Sequence, residues 1–143
     1  MEMEINWLAQ LVAAAAALGI GAIYYHPKAF GNAWMKSAGL TEEKLKGGNM
    51  IVILGGAFAL SFILGMFLFF SIETGHSTTG VNEGHKTFGH GMLHGTMLAI
   101  MTAVPVVVIN GMFERRKAMN NLLHVGYWIL TYGVMAGIVD AWR

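Results

Sequence analysis

Four of the six histidines fall in one stretch, Glu73 to Gly95, which reads E-T-G-H-S-T-T-G-V-N-E-G-H-K-T-F-G-H-G-M-L-H-G. His90 and His94 are four residues apart, so on a helix they differ by about 40° in direction and project from one face, one turn above each other. Two imidazoles so placed can hold a divalent metal such as zinc if other groups complete the sphere. The nearby candidates are Glu73, His76, Glu83 and His85, together with Asp140 near the far end of the chain. The set expected to act as metal ligands is therefore His85, His90, His94 and Asp140. The same groups can pass protons, or form a structural polar patch at a water–membrane boundary. Gly89, Gly91 and Gly95 flank the histidines and favour close approach of a neighbouring helix, which suits the structural alternative.

Other chemistries find no matching pattern. The zinc-protease motif H-E-x-x-H needs a glutamate after the first histidine, and Gly91 stands there. A membrane haem needs two histidines at one depth on facing helices, whereas His124 belongs about 20 Å from His94 if the helices run antiparallel at 1.5 Å per residue. The sequence holds no phosphate-binding loop, dinucleotide fingerprint or G-x-S-x-G elbow. With no cysteine, disulfides, thiolate metal sites and cysteine nucleophiles are excluded. A net charge of +1 supplies no field to recruit nucleic acid. No catalytic residue is assigned; a membrane enzyme acting on lipid or a hydrophobic small molecule stays as a third reading, which requires a pocket opening sideways to lipid near Asp140.

The elements that must position these groups are apolar. Of the 143 residues, 55% are hydrophobic and only 12% charged, which fits a chain embedded in a bilayer rather than a soluble domain. Four stretches are long enough to cross ~30 Å of hydrocarbon as helices: Ile5 to Tyr25, Asn49 to Ile72, Phe88 to Met112 and Leu122 to Trp142. The fold class expected is an all-α, integral membrane four-helix bundle in one domain, residues 1–143. The acidic N-terminus, Met1-Glu2-Met3-Glu4, lacks the basic start of a cleavable signal, so the first stretch is expected to stay as an anchor.

Orientation follows from the basic residues. Lys28, Lys36, Lys44 and Lys46 lie between the first two spans, and Arg115, Arg116 and Lys117 between the last two. The positive-inside tendency makes these two segments cytoplasmic and puts both termini and the histidine loop outside. A bacterial cytoplasmic (inner) membrane is the expected location.

In the first connection, Pro27 can open a short amphipathic helix presenting Phe30 and Trp34, either interfacial or packed on the end of the bundle. Thr41 before Glu42 and Glu43 reads as a helix cap, which would start the second helix in water well before Asn49. Small residues four apart form packing grooves: Ala13, Ala17 and Gly21; Gly91 and Gly95; Gly133 and Gly137. Pro105 frees the carbonyl of Met101 and predicts a kink, with Thr102 or Thr131 available to satisfy that carbonyl. A second polar group, His26, Asn110, Glu114 and His124, is expected to form a stabilising clasp at the basic end.

Spread along nearly the whole chain are Asn6-Trp7, Tyr25-His26-Pro27, Phe30-Gly31, Trp34, Phe113-Glu114-Arg115-Arg116, Gly126-Tyr127-Trp128, Met135, Gly137 and Trp142. In order and spacing these resemble the bacterial membrane family called domain-of-unknown-function 1761. The resemblance implies a small four-helix membrane protein without an assigned activity. The function expected is accordingly that of a non-enzymatic protein acting by packing, as a homo-oligomer or an accessory subunit of a larger membrane complex. The alternative is a metal- or proton-handling or transport protein using the histidine cluster, with zinc the candidate cofactor.

Overall fold

The structure is a computed structural model that describes residues 4–79 and 86–142, with the backbone alone for 76–79. Its elements are α1 (Trp7–Tyr24), a wide turn (Pro27–Gly31), α2 (Asn32–Ala38), α3 (Glu42–Lys46), α4 (Met50–Thr79), α5 (Phe88–Met101), α6 (Ala103–Phe113) and α7 (Ala118–Ala141). No strand occurs among the described residues. Four helical segments are long and apolar enough to cross a membrane: Trp7–Tyr24, Met50–Gly75, Phe88–Phe113 and Ala118–Ala141. The protein is an all-helical membrane protein.

Helix α7 is the hub. It packs on α5, α1, α6 and α4, and most extensively on α5. The reason is in the glycines. A β-carbon on Gly91 would fall on the Ala136 carbonyl and the Asp140 side chain, and one on Gly95 would fall on the Tyr132 carbonyl and Ala136. From the other side, Gly133 makes room for Thr96 and Met92, and Gly137 for Phe88. The two backbones thus approach more closely than larger residues permit, and dispersion replaces the hydrophobic effect that lipid does not supply. Ala13 and Ala17 of α1, Leu68, Phe69 and Ile72 of α4, and Met135, Ala136 and Val139 of α7 complete the core.

The third span bends at Thr102, whose backbone leaves the helical region at φ −121° and ψ −67°. Pro105 is the cause, since its ring has no N–H and clashes with the carbonyl of Met101. The Thr102 hydroxyl does not reach that carbonyl as expected from sequence; it donates to Leu98 O at 2.6 Å. A helical threonine hydroxyl lies over the preceding turn, within reach of the carbonyl four residues back and not of its immediate neighbour.

Two other expectations need correction. Thr41 does cap a helix, accepting from Lys44 N at 3.4 Å, but that helix, α3, ends at Lys46. The second span starts anew at Met50, with Asn49 Oδ1 accepting from Ile51 N and Val52 N, because Gly47 and Gly48 interrupt the helix. The α4 helix also runs past Ile72 to Thr79. At its start it stands clear of the bundle, with every residue from Met50 to Gly56 exposed.

The first connection packs on the end of the bundle. Phe30 lies against Tyr24 with ring centroids 4.7 Å apart, and Trp34 against Tyr25 at 5.0 Å. Asn120 Nδ2 of α7 donates to Ser37 Oγ at 3.2 Å.

Candidate functional site

Asp140 is fully buried, yet it stands in the last turn of α7 next to the histidines of α5. His90 Nδ1 lies 2.8 Å from Asp140 Oδ2, and His90 Nε2 lies 3.1 Å from His94 Nε2. The three side chains make one hydrogen-bonded chain. With the proton on Nδ1, His90 donates to the carboxylate and its Nε2 accepts from His94 Nε2–H, so each ring nitrogen of His90 has a task.

Local sequence explains the placement. Thr87 caps α5, its hydroxyl accepting from His90 N at 3.2 Å, and this starts the helix three residues before the first histidine. Gly91 and Gly95 then hold that face against α7, while Asn6 Nδ2 donates to Trp142 O at 2.8 Å and ties the start of α1 to the end of α7. His90, His94 and Asp140 therefore come together; His85 lies outside the described residues.

Two imidazole nitrogens 3.1 Å apart are close to the separation of about 3.3 Å expected for neighbouring ligands on tetrahedral zinc. A carboxylate on the remote nitrogen of a ligating histidine is also a common supporting contact. In that arrangement Asp140 would orient His90 and not touch the metal. Among the described residues, however, no group of three or more histidine, cysteine, aspartate or glutamate side chains is placed to hold a metal ion.

At the opposite, basic end the polar residues pair differently from the clasp expected of them. His124 Nδ1 and the Tyr25 hydroxyl are hydrogen-bonded at 3.0 Å. Glu114 pairs with Arg116 at 2.6 Å rather than bridging to Asn110 or His124. His26 stays local, its Nδ1 accepting from Lys28 N at 3.1 Å. Tyr25, Trp34, Asn110, Arg116, His124, Tyr127 and Trp128 instead line a cleft of about 470 Å³. Burial pushes the Tyr25 phenol well above its ordinary range, with the neighbouring Tyr127 and Tyr24 adding to the effect, so it stays protonated.

The family model described as "Protein of unknown function (DUF1761)" matches residues 8–139. The chain belongs to this family. No curated protein and no solved structure matches it. The matched region of this DUF1761 member holds His90, His94 and the whole cleft at the basic end, and stops one residue short of Asp140.

Sequence reasoning missed two features of this DUF1761 chain. Gln10 of α1 is 1% exposed, and both of its amide atoms are buried without a hydrogen-bond partner. It points at Gly65 of α4, where a β-carbon would come within 2.7 Å of Gln10 Oε1. A lone glutamine beside an alanine run carries little signal, although its spacing of three and seven from Ala13 and Ala17 puts all three near one helix face. The Tyr25 to His124 contact joins residues 99 apart, beyond the reach of any local pattern.

Proposed function

We propose that the protein is a small, non-enzymatic subunit of a bacterial inner-membrane assembly that handles protons at its histidine end. Both termini lie outside in this reading, so the Asp140–His90–His94 chain sits at the outer mouth of the bundle. The observation that carries the reading is the pair of contacts made by His90, at 2.8 Å to a fully buried carboxylate and 3.1 Å to a second imidazole. An imidazole with each nitrogen hydrogen-bonded can take a proton on one side and release it on the other. Ionisable groups at membrane depth are costly, and where they occur they mark proton or substrate paths.

The subunit role is favoured by α4. From Met50 to Gly56 it is uncovered, and at Gly55 and Gly56 nothing lies within 4 Å of a β-carbon position. Four helices alone leave little room for an aqueous path, so a complete path would need further copies or a partner chain.

The test uses the whole protein reconstituted in vesicles carrying an internal pH dye, with a potassium gradient and valinomycin driving protons inward. Wild type should acidify the lumen faster than protein-free vesicles, and Asp140→Asn and His94→Gln should each remove that excess. Equal rates in wild type and both variants would reject proton handling. Stoichiometric zinc binding lost in a His90→Ala, His94→Ala double variant would reassign the site to metal.

A further inference from the structure

The groove between the kinked third span and α7 points to a second site, at the end remote from the histidines. Above the bend, α5 is held on α7 by Gly91 and Gly95; beyond Thr102, α6 contacts α7 far less. The divergence opens an apolar cavity of about 310 Å³ walled by Thr102, Ala103, Val106 and Tyr132. This cavity and the cleft at the basic end are neighbours along the same pair of helices, with Val107 and Trp128 lining both, and are taken together as one groove. One end is apolar and lies mid-span; the other is polar, aromatic and lies where the helices leave the membrane.

We infer that this groove binds a neutral amphiphile with a planar carbonyl-bearing ring and an apolar tail, a compound of the isoprenoid-quinone type. The tail would follow Val106 and Val107 toward Tyr132, and the ring would occupy the cleft. Ligand sites of this kind are largely apolar concavities with a few convergent polar groups, and the volumes fall in their usual range of roughly 300–1,000 Å³.

The polar groups define the head. Asn110 brings an amide donor. The Tyr25 hydroxyl is hydrogen-bonded to His124 Nδ1 at 3.0 Å; in the tautomer that carries the proton on Nε2, that nitrogen is a second donor. Carbonyl oxygens are the natural acceptors for both. Arg116 lines the cleft too, but its charge is already matched by Glu114 at 2.6 Å. A phosphate head would need an uncompensated cation, so charge matching favours a neutral head over an anionic lipid. The rings of Trp34, Tyr25, Tyr127 and Trp128 touch one after another, with successive centroids 5.0 to 5.3 Å apart, and offer faces and edges to a planar partner. The assignment concerns binding, and no redox step is attached to it.

The experiment titrates the full-length protein in mild detergent with a benzoquinone carrying a short alkyl tail, and follows saturable quenching of tryptophan fluorescence together with the unfolding midpoint. Wild type should saturate and gain several degrees, while Asn110→Leu should weaken the apparent affinity about tenfold, the size of one lost hydrogen bond. Trp128→Leu is a second variant that should also weaken binding, so the proposal does not depend on one variant folding. His94→Gln, at the other end, should bind as wild type does, which keeps this result separate from the proton assay. Non-saturable quenching without a midpoint shift would overturn the proposal. So would equal stabilisation by phosphatidylglycerol, which would make the occupant an anionic lipid, or by an alkane of the same length, which would mean the head is not recognised.

Discussion

Gly95 of α5 lies so close to Tyr132 of α7 that a β-carbon on it would collide with the Tyr132 carbonyl. One turn along, Gly91 meets Ala136 in the same way, and this double contact sets the depth at which His90 finds Asp140. Gly95→Ala should therefore push the helices apart and cost about 1–3 kcal/mol, as overpacking of a tight contact does. It should also lengthen the His90–Asp140 contact. Unfolding in mixed micelles measures the first effect, and the imidazole nitrogen resonances of His90 report the second. An unchanged spectrum and midpoint would mean that the glycines are not what holds the histidines in place.

Gln10 gives a prediction of opposite sign. Its amide is buried without partners, and an unmet polar group at that depth costs about 1–3 kcal/mol. Gln10→Met keeps the length of the side chain and removes the amide, so it should leave the protein as stable or stabilise it by about that amount. A clear loss of stability would show that the amide has a partner, such as an ordered water.

Arg115 is the one described residue other than glycine with positive φ, at 52°, and it closes α6 as the chain turns toward α7. The Arg116 N–H donates to the Gly111 carbonyl across this turn at 2.8 Å. A left-handed conformation costs a residue with a β-carbon about 1 kcal/mol, a penalty that glycine avoids. Arg115→Gly should therefore stabilise by roughly 0.5–1 kcal/mol in thermal unfolding. The same substitution at Lys117, which is extended at ψ 143°, should give no such gain.

Tyr25 ties stability to alkaline pH. Its folded pKa is raised, so the folded state keeps a proton that the unfolded chain releases above about pH 10. The contribution is complete below pH 10 and is lost as pH rises from there toward the folded value. The unfolding midpoint of wild type should therefore fall more steeply above pH 10 than that of Tyr25→Phe. Parallel curves would show that the phenol ionises as freely in the folded protein as in the unfolded chain.

Much of the architecture is legible in the order of the amino acids. Four stretches of about twenty apolar residues have no stable home except lipid, and each is a helix because the bilayer leaves backbone groups no other partner. The small-residue spacing points to Gly91, Gly95, Gly133 and Gly137, which do lie in the most extensive helix contact of the described residues. The kink at Pro105 is legible because proline acts through its own ring. The pairing at the basic end is not. Asn110 and Glu114 share a helix face, yet Glu114 turns to Arg116, which the left-handed Arg115 brings back beside it. Nor can Gln10 be separated from a lipid-facing residue without knowing which way α1 is rotated.

By itself the sequence determined the number of spans, the small-residue grooves of the helices and the shared face of His90 and His94, because each follows from local periodicity and from the demands of an apolar solvent. Only the tertiary structure decided that Asp140 is buried against His90, that Tyr25 reaches His124, and that the bend at Thr102 opens a groove toward the basic end. Those outcomes depend on how far each helix slides and turns against its neighbours. Shifts of an ångström there move a side chain from hydrogen bond to void, and no pattern within a single helix encodes them.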